Sequence, residues 1–159
     1  MDGSPIDNAA NEAKAPSEFT EQANAAARIS FDDPGDFGRA QRGLLATIED
    51  GRVVIPNGPG GGEHVVWDVA NHAFVTEREA NPSSVHPGLW RQARLNVNHG
   101  LFEVAEGVWQ VRGYDVANIT FMAGSDGWLI IDPLTNAPAA AAALDLANRT
   151  LGERPVTSI

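Results

Sequence analysis

Four histidines, His64, His72, His86 and His99, are the side chains best suited to bind a metal or carry a proton, and they stand singly along the chain. A zinc site needs His and carboxylate ligands clustered at short spacing. No such cluster occurs, so each histidine reads first as a surface or hydrogen-bonding residue. His99, in the turn Asn98-His99-Gly100 ahead of a strand, is the best candidate for more. Absence of cysteine excludes disulfides, thiolate zinc sites and a cysteine nucleophile by count. No serine has the glycine-flanked strand-to-helix setting of a nucleophile elbow. Carboxylates are numerous, but nothing singles out a pair for glycoside chemistry. The run Asn57-Gly58-Pro59-Gly60-Gly61-Gly62 lacks the Lys and Ser or Thr of a phosphate-binding loop and reads as a turn.

Two places remain. Asp132 follows an apolar strand and precedes a helix, on the edge where layered α/β folds place their sites. It is equally suited to cap backbone groups ahead of Pro133, and both readings can hold. The six residues Gly113-Tyr114-Asp115-Val116-Ala117-Asn118 join two strands and offer a phenol, a carboxylate and an amide, so they either carry function or simply turn. Asn118-Ile119-Thr120 and Asn148-Arg149-Thr150 match the glycosylation pattern, but one lies in a predicted strand and the other in a predicted helix.

The elements that must position these residues become readable after Gly100. Residues 101–104, 108–112 and 119–122 are β-rich runs separated by turn residues, and Gly124-Ser125-Asp126-Gly127 is a tight hairpin turn. Trp128-Leu129-Ile130-Ile131 is apolar without alternation, as expected of a strand covered on both faces. Pro138 suits a helix start, Ala140, Leu144, Ala147 and Leu151 share a helical face, Asp145 and Arg149 can pair, and Gly152 suits the C-terminal cap. Val156-Thr157-Ser158-Ile159 begins another strand. Upstream, residues 1–14 read as a loose tail. A helix is predicted over 17–28 with Ser17 as its cap, Phe31-Asp32-Asp33-Pro34-Gly35-Asp36 breaks it, 36–46 adds one short helix, and 52–55 forms a strand. Residues 71–99 hold few periodic segments and should wrap a core formed elsewhere; in and beside this stretch, only 65–69 and Leu89-Trp90 look fit to pack.

With 43% apolar residues, the 159-residue chain can fill one real core. Its 21 acidic against 11 basic residues give a formal charge of -10, which repels phosphate backbones and anionic lipid and argues against nucleic-acid and membrane-surface partners. The start Met1-Asp2-Gly3-Ser4-Pro5 lacks the features of a signal peptide, so the sequence as written reads as cytoplasmic; a longer protein containing it is compatible with a periplasmic or secreted place.

Several spaced segments resemble one family. Phe37-Gly38-Arg39-Ala40-Gln41-Arg42-Gly43-Leu44-Leu45-Ala46, Leu89-Trp90-Arg91-Gln92-Ala93 and Asn98-His99-Gly100-Leu101-Phe102-Glu103-Val104 are similar to N-terminal segments of the alkyl sulfatases of the metallo-β-lactamase superfamily. Gln110-Val111-Arg112-Gly113-Tyr114-Asp115-Val116-Ala117-Asn118-Ile119-Thr120 adds a fourth. The resemblance implies an α/β layered fold, the N-terminal portion of a metallo-β-lactamase αββα fold, incomplete in this chain. It implies three parts: tail and short helix at 1–30, a wrapping extension at 31–99, and the first strands and helix of a truncated catalytic domain at 100–159. For the full-length protein it implies zinc-dependent hydrolysis of alkyl sulfate esters by metal-activated water, with two zinc ions held by a His-x-His-x-Asp-His motif absent here. No catalytic or metal-ligating residue then falls in this chain, which alone should be inactive and bind no zinc. Asn118, Tyr114 and Asp115 become candidates near the substrate, Asn118 foremost because an amide donates to an anion without repulsive charge. Asp132 becomes a buried carboxylate behind the metal ligands. The partners implied are the alkyl sulfate, the rest of the catalytic domain, and a dimerisation domain also absent here. A thioester or lactone hydrolase of the same superfamily is the alternative, as is a non-enzymatic interaction module if the chain is complete; reading the gene past residue 159 separates them.

Overall fold

The computed structural model describes residues 15–28, 34–56, 60–78 and 80–159. The predicted tail at 1–14, the break at 31–33 and the first half of the glycine-rich turn at 57–59 lie outside the described residues. Helix α1 (Glu18–Ala26) starts at Ser17, whose side chain accepts from the Thr20 amide. Helix α2 (Pro34–Gln41) is followed by a strand, β1 (Leu44–Ala46), where one helix through Ala46 was expected. Gly43, at φ 80°, makes the turn between them against the Glu103 backbone, where a Cβ would collide with a carbonyl oxygen. Strands β2 (Arg52–Ile55) and β3 (His64–Asp68) form an antiparallel ribbon.

Residues 71–99 are more regular than their sequence suggests. They hold a short helix α3 (Phe74–Glu77) and a full helix α4 (Pro87–Asn96). His86 caps α4 by accepting from the Gly88 amide, and Pro87 takes the first helical position. The amphipathic signal of α4 was hidden because its packing residues are few: Trp90 is buried, whereas Leu89 is exposed. Phe37 of α2 is flanked by the guanidinium groups of Arg91 and Arg94 of α4.

The main sheet has the order β1-β4-β5-β6-β7-β8, with β4 (Gly100–Ala105), β5 (Val108–Arg112), β6 (Ile119–Ala123), β7 (Trp128–Ile131) and β8 (Val156–Ser158). All neighbours are antiparallel except β7 and β8, which run parallel on either side of α5 (Ala137–Leu151). The extension therefore does more than wrap, since β1 is an edge of this sheet and Val53 of β2 belongs to its core. Register puts Leu101, Val111 and Ile119 in one row and Trp109, Phe121 and Ile130 in the next. This face packs on α5 through Ala143, Leu146 and Ala147. The buried stripe of the helix is Ala139, Ala143, Leu146 and Ala147, rotated from the one expected, so Ala140, Leu144 and Leu151 lie at its half-buried margin.

Among the described residues, β7 is covered on one face. Trp128 and Ile130 are buried, but Leu129 and Ile131 point to the other face and are exposed, because no element among the described residues lies over them.

Trp128 fixes how β7, α5 and β8 meet. Its ring is fully buried, edge-on to Trp109 and Phe121 with centroids 5.6 and 5.8 Å away. Its indole N–H donates to Asn148 Oδ1 of α5 at 2.8 Å, and Arg154 stacks on it at 5.0 Å. Asn148 is therefore an internal acceptor. The preceding Gly127 has Pro155 so close that a Cβ would strike its carbonyl oxygen. Truncating Trp128→Ala should cost about 3–5 kcal/mol in denaturant unfolding. Trp128→Phe keeps an aromatic ring but removes the indole N–H, leaving Asn148 Oδ1 only the longer bond from the Arg154 amide at 3.3 Å, so it should cost less than Ala but still about 1 kcal/mol; a Phe variant as stable as the parent would show that the indole N–H bond contributes nothing.

Candidate functional site

The segment 113–118 leaves the end of β5 and re-enters the sheet at β6. Its entry requires glycine, because Gly113 has φ 81° and a Cβ there would lie 2.5 Å from the His99 Cβ. The next three polar side chains go to different places. Tyr114 turns into the core: it is 1% exposed, its hydroxyl accepts from the Ile48 amide at 2.8 Å, and its ring meets His99 edge-on at 5.5 Å. Burial pushes the phenol pKa up, opposed by the Ile48 bond, so at neutral pH it is not a base. Tyr114 thus packs into the core rather than lining the cavity beside this segment. His99 acts as a packing partner for it.

Asp115 is buried as well, and its carboxylate is committed within the protein. Oδ1 accepts from the Val116 and Ala117 amides at 2.6 and 3.4 Å, and Oδ2 accepts from the Thr135 amide at 2.9 Å. The Thr135 hydroxyl lies within 2.8 Å of both oxygens, and Asn136 Nδ2 donates at 3.2 Å. Burial alone would raise the pKa of Asp115, but the Thr135 hydroxyl and the amides of Thr135, Val116 and Ala117 outweigh it and hold the group below the ordinary carboxylate value. Asn136 in turn caps α5 by accepting from the Ala139 amide at 2.9 Å. Asp115 therefore ties the loop to the positive end of a helix.

Asn118 is exposed and lines a cavity of about 550 Å³ walled by α2, α4 and the end of β5. Asp36 and Arg91 line the opposite side and pair at 2.6 Å, with Arg39 also on Asp36 at 2.7 Å; the arginine hydrogen bonds hold the Asp36 pKa down. Arg112, at the end of β5, also lines this cavity. Its guanidinium lies 4.6 Å over the Phe102 ring, and its Nε donates to Gln110 Oε1 at 2.7 Å, while Gln110 Nε2 donates to Thr120 Oγ1 at 3.1 Å. Burial draws its pKa down from the ordinary value, though a guanidinium stays cationic at neutral pH. Among the described residues, its two terminal nitrogens have no protein acceptor. The legible signal was alternation: Arg112 shares a face with Gln110, across from Thr120.

Asp132 stands at the end of β7, exposed, with φ 54°. It is not brought to Asp115 or Asn118 by any hydrogen bond among the described residues. His64, His72, His86 and His99 fall on β3, the turn after it, the α4 cap and the start of β4. Among the described residues no group of three His, Asp or Glu stands close enough to hold a metal ion, so these side chains do not fit a dinuclear zinc centre.

The cavity and its loop lie in a stretch shared with known enzymes. The chain is 39% identical over 155 residues to a linear primary-alkylsulfatase of Pseudomonas, a match covering 95% of this chain and 22% of that one. It is 36% identical over 144 residues, 91% of this chain and 21% of the relative, to the alkyl/aryl-sulfatase BDS1 of Saccharomyces cerevisiae. This stretch is similar to one portion of these sulfatases. An (R)-specific secondary-alkylsulfatase of Pseudomonas is 40% identical over 131 residues, 82% of this chain and 19% of the relative. The solved structure of a stereoselective inverting sec-alkylsulfatase, Pisa1, from Pseudomonas superposes with a TM-score of 0.72 at 40% identity, covering 89% of this chain and 22% of that one. The mixed α/β fold is thus that of one portion of an alkylsulfatase. No protein-family model matches the chain. The chain spans about a fifth of the length of the relatives it matches.

The Asp115 clamp has a pH signature. A carboxylate whose folded pKa is depressed contributes stability that is fully present above its unfolded value and fades as pH falls through the folded one. Unfolding free energy should therefore drop as pH is lowered below about 4, and Asp115→Asn should flatten that drop. Asp115→Ala should cost about 3 kcal/mol at neutral pH by leaving its donors unpaired. Identical pH profiles for the parent and Asp115→Asn, followed by denaturant melts, would show that the clamp contributes nothing to stability.

Proposed function

We propose that the chain is part of a sulfuric ester hydrolase acting on alkyl sulfates, in which the cavity beside 113–118 receives the sulfate group. The observation that carries this reading is Arg112. In a chain of net charge -10, a guanidinium is fixed by an aromatic ring and a glutamine so that its two terminal nitrogens remain open beside a cavity. That arrangement suits a planar fork of donors to two oxygens of an anion. Asn118 lines the same cavity and adds an amide donor without charge. Asp36 is offset by two arginines and Asp115 by its amide and hydroxyl donors, so neither carboxylate confronts the anion unscreened. The relatives that share this stretch are named for alkyl sulfates, which fits the same chemistry.

The role of these residues is binding and orientation. The zinc ions implied by the family resemblance would be held by residues other than those described. The 159 residues alone should retain no stoichiometric zinc after dialysis and release no sulfate from alkyl esters. One firmly held zinc per chain would disclose a site made by these residues.

In the enzyme that carries this segment, Arg112→Ala should raise KM for an alkyl sulfate about 10–100-fold with a smaller change in kcat. Arg112→Lys should restore part of the loss. Sulfate release by ion chromatography gives both constants, and an enzyme that frees no sulfate from any alkyl ester would refute the reading.

A further inference from the structure

A second cavity, of about 250 Å³, adjoins the first and shares Asn96, Gly113 and Asp115 with it. Its character is different. Trp67 and Val69 come from the end of β3 and the turn after it, Val75 from α3, Ala93 from α4 and Val97 from its C-cap, so the walls are mostly apolar. The walls are also held in place. Trp67 donates its indole N–H to the Gly113 carbonyl at 2.8 Å, which joins the apolar cavity to the first residue of the 113–118 loop. The His72 ring packs on Trp67 with centroids 5.6 Å apart, and Val69 sits against Gly51, where a Cβ would overlap a Val69 methyl.

The geometry points to an amphiphile lying across both cavities, its sulfate at Arg112 and Asn118 and its alkyl chain against Trp67, Val69, Ala93 and Val97. The inference rests on the sulfate-ester reading and adds to it what selects the chain. The physical logic is a division of labour. A guanidinium beside a polar cavity recognises any sulfate ester, whereas burying methylenes distinguishes a long chain from a short one. Both surfaces meet at Gly113, whose carbonyl anchors Trp67 and whose neighbours in sequence are Arg112 and Tyr114. The elements forming the apolar walls, β3, α3 and α4, belong to the extension ahead of the main strands, which gives that extension a part in specificity.

The test uses the enzyme that carries this segment and linear sulfates from butyl to octyl. Each methylene taken into the apolar cavity should raise kcat/KM by about fourfold until the cavity is full. Ala93→Leu narrows the cavity and should lower the octyl-to-butyl ratio of kcat/KM at least tenfold. Val69→Ala widens it and should move the best chain to greater length, so the two variants shift selectivity in opposite directions. Because the readout is a ratio, a variant with less folded protein still reports. An Ala93→Leu enzyme too damaged to assay leaves the decision to Val69→Ala. Alkyl sulfate hydrolysis with the chain-length slope unchanged in the assayable variants overturns the alkyl cavity alone. A parent enzyme that hydrolyses none of the esters overturns the sulfatase reading and this inference with it.

Discussion

A buried carboxylate must find donors or lose its charge, and Asp115 meets that constraint by joining parts of the chain twenty residues apart. Its partners are the amides of its own loop and the Thr135-Asn136 turn that opens α5. Through Asn136 the same network caps the helix that covers the sheet. The loop between β5 and β6 is therefore anchored to the helix that covers the sheet. That anchoring matters for the residues at its two ends, Arg112 and Asn118, which line the cavity.

Arg112 shows how a sheet can present a charge. On the face of β4, β5 and β6 away from α5, Phe102, Gln110 and Thr120 stand in register. The ring supports the guanidinium from below and the glutamine fixes its Nε. Lysine could stack on the ring but could not keep a fork of donors in one plane, which is why the two are not interchangeable here.

Trp67 links the extension to this arrangement. The β2–β3 ribbon packs on the core through Val53, and the Trp67 indole reaches the carbonyl of Gly113 at the start of the loop. His99 and Tyr114 complete the junction from the other side, with Tyr114 accepting from Ile48 ahead of β2. The segment before the main strands is thus a wall of the site.

By itself the sequence determined the strands from Gly100 onward, the hairpin at Gly124, the helix with its Asp145–Arg149 pair at 2.9 Å, and the strand after it, because alternation, turn residues and capping are local signals; that this last strand pairs parallel to β7 came from the fold. Spaced motifs also carried the resemblance to alkylsulfatases. Position relative to the core was settled only by tertiary structure. Tyr114, Asp115 and Asn118 lie within five residues, yet one is a core side chain, one a clamp and one open to the cavity, a sorting that depends on Ile48, Thr135 and Asn136 far away in sequence. Helix α4 and the role of Arg112 were likewise illegible, since a helix packed through one tryptophan has little periodicity and an arginine on a strand gives no sign of the ring beneath it.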